Sequence, residues 1–208
     1  MWFIGTVGKT SILTRYIKGE FIKIIDRTVN TNSINKTLMI NGLLFNLTIW
    51  DTAGEEKYHA LAPIFYRGAD GAIIIYDCTR KETFESAEKW FKELNELSEG
   101  SPRIILVGNK IDLPNKEVNS ENAKQLSEKY YGNFLEVSAL TGKNVNEIFD
   151  SITLDIYNYK KKCEEEINEK IFEEKAFGKQ KRTRAASKRK MIIVNDRFEK
   201  RNDTSTCC

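Results

Sequence analysis

The stretches Gly71-Ala72-Ile73-Ile74-Ile75-Tyr76-Asp77 and Arg103-Ile104-Ile105-Leu106-Val107-Gly108-Asn109 decide the fold. Both are short, nearly continuous apolar runs, which are typical of strands covered on both faces. Phe134–Ser138 is a weaker third run. Between the runs, the helical periodicity of Phe84–Leu97 and Glu121–Tyr131 predicts connecting helices. The alternation favours an α/β fold, an open parallel sheet with helices on both faces.

A hairpin and a last helix extend this core. Ser33–Ile40 and Leu43–Trp50 are β-rich and meet at Asn41-Gly42, a strong signal for a two-residue turn. A final helix begins at Val145, and its periodicity fails near Ala176. We therefore expect a folded domain over residues 1–160, an extension of the last helix over 161–175, and a flexible tail over 176–208.

Composition sets several classes of protein aside. The 208 residues are 40% hydrophobic and 30% charged, which suits a globular protein. The apolar runs are too short to cross a bilayer, and no charged-then-apolar leader opens the chain. Four cysteines at uneven spacing are too few for a disulfide framework or a four-ligand zinc site.

The net charge of +3 is distributed unevenly. Residues 160–208 hold 15 Lys and Arg against 9 Asp and Glu, whereas the preceding residues carry more acidic than basic side chains. A nucleic-acid-binding domain would carry its positive charge on the folded face, so no nucleic-acid partner is expected. The basic tail is better suited to attachment to an anionic surface.

Gly8-Lys9-Thr10 follows the short apolar start Met1–Ile4 and precedes the amphipathic stretch Ile12–Ile17. A glycine-containing turn that leads into a helix N-terminus presents backbone N–H groups to phosphates. The lysine of such a turn reaches the outer phosphates, and the threonine hydroxyl binds Mg²⁺. The full spacing of the phosphate-binding motif is missing, so an ordinary helix start with a surface lysine is the alternative.

Three further motifs follow predicted strands. Asp51-Thr52-Ala53-Gly54 places a carboxylate that can hold Mg²⁺ through water beside a glycine that can approach a terminal phosphate. Asn109-Lys110-Ile111-Asp112 offers a carboxylate that can accept both N1–H and the 2-amino group of guanine, which adenine cannot match. The backbone of Ser138-Ala139 can complete the base pocket. Taken singly, each motif is also compatible with an ordinary turn or loop.

The order and separation of these elements resemble the Ras-like small GTPases, and the details resemble the Rab family. The details are Trp50 before Asp-Thr-Ala-Gly, the runs Tyr66–Ala72 and Val107–Leu113, and the terminal pair Cys207-Cys208. The resemblance covers residues 1 to about 160 and the last two. His59-Ala60-Leu61 with Pro63 is similar to the endosomal branch. The resemblance implies a P-loop GTPase domain with a mostly parallel six-stranded sheet and one antiparallel edge strand.

The resemblance also implies a role for each matching residue. Lys9 would contact the β- and γ-phosphates and assist catalysis, and Glu55 would occupy the catalytic position of the second switch. Mg²⁺ would be held by Thr10, by Thr28 in the triphosphate state, and by Asp51 through water. The full nucleotide-binding set is Gly5, Gly8, Lys9, Thr10, Ser11, Thr28, Gly54, Asn109, Lys110, Asp112, Ser138 and Ala139.

The implied function is a GTP/GDP-dependent switch that uses Mg²⁺ and hydrolyses GTP. It would regulate vesicle trafficking on the cytoplasmic face of endomembranes, with endosomes as the first choice. The expected partners are an exchange factor, a GTPase-activating protein, a GDP-dissociation inhibitor, a prenylation escort protein, and effectors that bind the switch regions. Cys207-Cys208, behind a basic segment, resemble a double geranylgeranylation site. An unmodified thiol pair is the alternative.

The phosphate loop departs from the family pattern. The family has four residues between the first glycine and Gly-Lys, whereas two residues separate Gly5 from Gly8. Counting without a gap places Phe3 at the first glycine, where a side chain blocks close backbone approach. An incomplete N-terminus and an altered loop both remain open. A pseudo-GTPase, a prenylated scaffold that binds nucleotide poorly, is therefore the second hypothesis; an ATP-binding P-loop enzyme is a more distant third.

Glu55 stands where the family has the glutamine that orients the attacking water. A carboxylate still accepts a hydrogen bond from water, but it places negative charge near the γ-phosphate. We therefore expect Glu55→Gln to change the single-turnover rate of GTP hydrolysis by protein preloaded with GTP. Equal rates for the two proteins would refute this expectation.

Overall fold

The structure is a computed structural model that describes residues 7–22, 32–52, 67–98 and 100–176. Its elements, in chain order, are α1 (Lys9–Lys18), β1 (Asn32–Ile40), β2 (Leu43–Asp51), β3 (Gly71–Asp77), α2 (Lys81–Leu97), β4 (Arg103–Asn109), α3 (Ser120–Lys129), β5 (Asn133–Glu136) and α4 (Val145–Ala176). The bounds predicted for β3 and β4 are confirmed. The third run forms a shorter strand that ends at Glu136 rather than at Ser138.

Strands β3, β4 and β5 form a parallel sheet in that order. The register pairs Tyr76 with Gly108 and Asp77 with Asn109. Because the strands are parallel, their carboxyl ends lie at one edge, where ligands bind in open α/β sheets. The residues that follow β3 and β4 therefore lie side by side at this edge.

Helices cover both faces of the parallel sheet. A Cβ added to Gly71 would lie 2.8 Å from Cδ1 of Ile156, so α4 covers the face to which Gly71 belongs. Tyr76 belongs to the opposite face because side chains alternate along a strand, and its ring packs edge-on against Phe84 of α2 at 5.2 Å. The prediction of helices on both faces is confirmed.

The hairpin of β1 and β2 forms a separate antiparallel sheet. Asn41 and Gly42 have φ values of 51° and 78°, the conformation that a type I′ turn requires. Within the described residues the five strands form these two sheets rather than the six-stranded sheet that the resemblance implies. The apolar start Met1–Ile4, the expected sixth strand, lies outside the described residues.

Helix α1 packs against α4 through Tyr16 and Phe149, whose rings stack with centroids 3.7 Å apart. Lys36 of β1 donates a hydrogen bond to the Tyr16 carbonyl at 2.9 Å and lies over the same ring. Burial raises the pKa of Tyr16 to about 12, so its hydroxyl stays neutral. These contacts connect the hairpin to α1 and α1 to α4.

No helix in the four described ranges combines the length and the apolar character that crossing a membrane requires.

The ring of Tyr76 covers Gly108 directly across the strands. A Cβ on Gly108 would lie 2.6 Å from Oη and 2.8 Å from Cζ of Tyr76, which is fully buried. We expect Gly108→Ala to lower the free energy of unfolding by about 1–3 kcal/mol, because overpacking a core forces strain on its neighbours. Urea unfolding measures the loss.

Gly71→Ala is the matched control in the same sheet. Its nearest neighbour is the end of the Ile156 side chain, which can rotate away, and Cδ1 of Ile152 and the Arg103 carbonyl oxygen follow at 3.1 and 3.2 Å. The loss of stability should therefore be smaller than in Gly108→Ala, and equal losses would contradict the steric explanation.

Candidate nucleotide-binding site

The N-terminus of α1, which the sequence predicts to bind phosphate, is called here the phosphate end of the candidate site. Gly8, which precedes the helix, has a φ of 93°, a left-handed conformation that favours glycine. Among the described residues no side chain caps this helix, and its first turn holds no acidic residue. The first turn consists of Lys9, Thr10 and the half-buried Ser11. Its backbone N–H groups are therefore suited to an anion.

Two buried charges and a hydroxyl meet beside this turn. The hydroxyl of Thr10 donates a hydrogen bond to Oδ2 of Asp51 at 2.8 Å. Burial lowers the pKa of Lys9 to about 8, although the charge of Asp51 opposes this shift. Burial also raises the pKa of Asp51 against the effects of Thr10 and Lys9. Charged groups held out of water in this way are costly unless a ligand compensates them.

The same residues fit a magnesium ion. Within the described residues, Oδ1 of Asp51 and the hydroxyl of Thr52 are buried without a hydrogen-bond partner. Oxygen atoms of this kind are the ligands that Mg²⁺ prefers, and Mg²⁺ usually uses one or two side chains together with water and phosphate oxygens. The described ranges contain no cluster of three or more acidic, His or Cys side chains that could hold a metal by themselves. Thr10 and Asp51 would hold the ion, which would neutralise phosphate charge.

Asn109 connects the phosphate end to the base end, which is formed by the two loops predicted to bind the base, Lys110–Asp112 and Ser138-Ala139. Its side-chain amide donates a hydrogen bond to the carbonyl of Val7 at 2.9 Å and accepts one from the N–H of Ala139 at 3.1 Å. The side chain is fully buried. A Cβ on Gly8 would collide with the Asn109 amide nitrogen, so the glycine also permits this close approach. The asparagine therefore sets the separation of the two ends.

Asp112 supplies the carboxylate of the base end. It is exposed, and its Oδ1 accepts a hydrogen bond from the Ser138 hydroxyl at 2.6 Å. The Ser138 oxygen in turn accepts one from the N–H of Thr141 at 3.0 Å. The loop thus orients an accessible carboxylate, which is what recognition of a base edge requires.

Sequence reasoning missed two residues that hold this end in place. Asp77 lies 2.6 Å from the Lys110 ammonium, and its position in register with Asn109 is a signal that the sequence does contain. Arg15 of α1 donates hydrogen bonds to the carbonyls of Ala139, at 2.9 Å, and of Leu140. No pattern in the sequence indicates this second contact.

The structure brings together the predicted residues that it describes, from Gly8 to Ala139. The remaining predicted residues lie outside the described residues: Gly5, Thr28, Gly54, Glu55, Cys207 and Cys208.

Comparison with known proteins shows the family of this chain. The model of the Ras family matches residues 4–158. Ras-related protein Rab-5A of Dictyostelium discoideum is 43% identical over 151 residues, which cover 71% of this chain and 74% of the relative. Rab5 of Nicotiana tabacum is 42% identical over 148 residues, which cover 70% of this chain and 73% of the relative. Rab-11A of D. discoideum is 39% identical over 153 residues, which cover 73% of this chain and 72% of the relative.

The chain belongs to the Rab group of the Ras family. The Ras family consists in general of GTP hydrolases that use Mg²⁺. In this Rab protein the residues that match the family's base and phosphate motifs lie in one connected site.

Removing the Asn109 amide should loosen that site and destabilise the fold. Asn109→Ala leaves the buried Val7 carbonyl and Ala139 N–H without their partner, so the free energy of unfolding should fall by about 1–3 kcal/mol. Urea unfolding in EDTA, which removes Mg²⁺ and weakens any bound nucleotide, measures the change.

Asn35→Ala is the control of the same chemistry on the exposed face of β1, where Asn35 accepts one hydrogen bond from Thr48. Its effect should stay within about 0.5 kcal/mol, as is usual for surface substitutions. A loss in Asn109→Ala no larger than the control would show that the bridge is unimportant.

Proposed function

We propose that this chain is a guanine-nucleotide switch that binds GTP and GDP with Mg²⁺ and hydrolyses GTP. The observation that carries the proposal is the Asn109 bridge, which joins the backbone before Lys9 to the loop at Ala139. The same loop contacts Asp112 through Ser138. A phosphate chain and a purine base joined by a ribose need these two ends at a fixed separation.

The base end supports guanine over adenine. The Asp112 carboxylate, oriented by Ser138, can accept the N1–H and the 2-amino group of guanine together. Adenine offers no donor at either position, so the Asp112 carboxylate would receive no hydrogen bond from that base. A site that depends on such bonds discriminates strongly between ligands.

The phosphate end supports binding of a charged triphosphate. Lys9 and the N-terminus of α1 provide positive charge, and Thr10 with Asp51 provides oxygen ligands for Mg²⁺. Thr28 would add a ligand in the triphosphate state only, Gly54 would contact the γ-phosphate, and Glu55 would lie beside the attacking water. Loss of the γ-phosphate would release both switch loops and, with them, the bound effectors.

The relatives named Rab-5A, Rab5 and Rab-11A favour a role in vesicle trafficking on the cytoplasmic face of endomembranes, with endosomes as the first choice. Cys207 and Cys208 would carry geranylgeranyl groups that attach the chain to the membrane. An exchange factor, a GTPase-activating protein, a GDP-dissociation inhibitor and an escort protein complete the cycle. The complete domain would contain one six-stranded sheet that includes the hairpin.

Nucleotide affinity tests the proposal. Purified chain with Mg²⁺ should bind GDP and GTP and should not bind ATP, as measured by calorimetry. Asp112→Asn should weaken GDP binding by at least about 100-fold and improve xanthosine diphosphate binding, because an amide donates to the additional carbonyl of xanthine. Asp70→Asn, which removes a carboxylate paired with Lys160 before β3, is the matched control and should not change affinity.

The spacing between Gly5 and Gly8 favours the second candidate, a prenylated scaffold with weak or no nucleotide binding. The same measurement on a variant with two residues inserted after Gly5 separates the two functions. Tight nucleotide binding by the chain without the insertion supports the switch. Binding only after the insertion would indicate either an incomplete phosphate loop or a scaffold, and ATP binding equal to GTP binding would contradict both.

A further inference from the structure

Asp77 is the most buried carboxylate among the described residues, with an exposed fraction of 1%. Its Oδ1 accepts hydrogen bonds from the N–H of Thr79 at 3.0 Å and from the Thr79 hydroxyl at 2.7 Å. Its Oδ2 lies 2.6 Å from the Lys110 ammonium and 3.4 Å from Nε of Arg80. Every oxygen of this buried group therefore has a partner, and one of the partners belongs to the base-binding motif.

The carboxylate is charged at neutral pH. Burial by itself would raise the pKa of Asp77, but hydrogen bonds from Lys110 and Thr79 and the charge of Lys110 outweigh it and hold the pKa below its ordinary value. Asp77 is buried, whereas the Lys110 side chain is 31% exposed, so solvent screens part of the attraction between the two charges. We therefore expect the pair to contribute more to geometry than to stability, since desolvation of Asp77 also offsets the attraction.

The backbone around Lys110 needs to be held. Lys110 has a φ of 70°, a left-handed conformation that a residue with a side chain rarely adopts. The loop is attached to its surroundings by a hydrogen bond from the N–H of Ile111 to the Val137 carbonyl at 3.3 Å. The Asp77–Lys110 pair attaches the same loop on its other side, to the end of β3. Asp112 follows two residues later, so its position depends on both attachments.

We infer that Asp77 is a positioning residue of the base end, which holds Lys110, and through it the loop that carries Asp112, in the geometry that retains a guanine nucleotide. The inference rests on the proposed function and extends it to a residue outside the predicted site. Asp77 lies in register with Asn109 at the edge of the sheet where ligands bind in such folds. The two residues are therefore neighbours beside the loop that follows β4.

The rate at which a fluorescent GDP analogue dissociates during a chase with excess GDP tests the inference. Asp77→Asn keeps an oxygen for Thr79 but removes the charge that faces Lys110, so we expect dissociation to become at least about tenfold faster. The factor should be the same for a non-hydrolysable GTP analogue, because both nucleotides share the base. An increase confined to the triphosphate would contradict a role at the base end.

Asp155→Asn is the matched control. Asp155 of α4 pairs with Arg103 at 3.0 Å and also accepts a hydrogen bond from Asn133. Arg103 is the first residue of β4, at the end of the strand opposite to Asn109. Dissociation from this variant should stay within about twofold of the natural protein even if its melting temperature falls. An equal acceleration in the two variants would show that loss of stability alone explains the effect.

A double-mutant cycle separates positioning from general loosening. If Asp77 acts through Lys110, then Asp77→Asn combined with Lys110→Met should release nucleotide at the rate of Lys110→Met alone. Effects that multiply would overturn the inference. Should Asp77→Asn not fold, Thr79→Val decides the question: loss of one hydroxyl donor to Asp77 should accelerate release moderately, and an unchanged rate would contradict the inference.

The proposed function and the inference fail in different ways. Absence of guanine-nucleotide binding by the natural protein contradicts the proposed function. Binding by the natural protein with an unchanged rate in Asp77→Asn contradicts only the inference.

Discussion

The side-chain amide of Asn109 determines how the rest of the site is arranged. One end of the amide holds the backbone before α1, and the other holds the loop after β5. The two segments are 132 residues apart in the chain, from Val7 to Ala139, and neither belongs to the sheet. Because a buried amide and two buried backbone groups all need partners, a shift of either segment would leave polar groups unpaired.

The parallel register explains why this amide and the charged groups meet. Strands β3 and β4 end together, so Asp77 and Asn109 lie side by side, and the loop that follows β4 can reach the end of β3 through Lys110. Apolar side chains occupy the interior of the same strands, and polar side chains begin where the strands end. One short shift of register would separate these groups, so the apolar packing of the sheet also sets the geometry of the site.

Local patterns in the sequence were sufficient to predict the strands and turns whose structure depends on residues close together in the chain. The apolar runs predicted the bounds of β3 and β4, and Asn41-Gly42 predicted the two-residue turn of the hairpin. Contacts between distant residues were not predicted, because they depend on register and on which helix faces which loop. Arg15 shows this limit: nothing around it in α1 indicates that its guanidinium binds the carbonyls of the base loop. The end of β5 was overestimated, since Ser138 turns away to donate a backbone hydrogen bond to Lys143.

The two ends of the site differ in how complete they are without a ligand. At the base end, Asp112 is held by Ser138 and Lys110 by Asp77, so the protein itself sets the geometry before a base arrives. At the phosphate end, within the described residues, an oxygen of Asp51 and the hydroxyl of Thr52 are buried without partners, and burial lowers the pKa of Lys9 to about 8. A nucleotide with Mg²⁺ would supply what the phosphate end lacks. Under the proposed function, the binding energy at that end would include relief of a cost already present in the fold, and specificity would come from the end that is formed in advance.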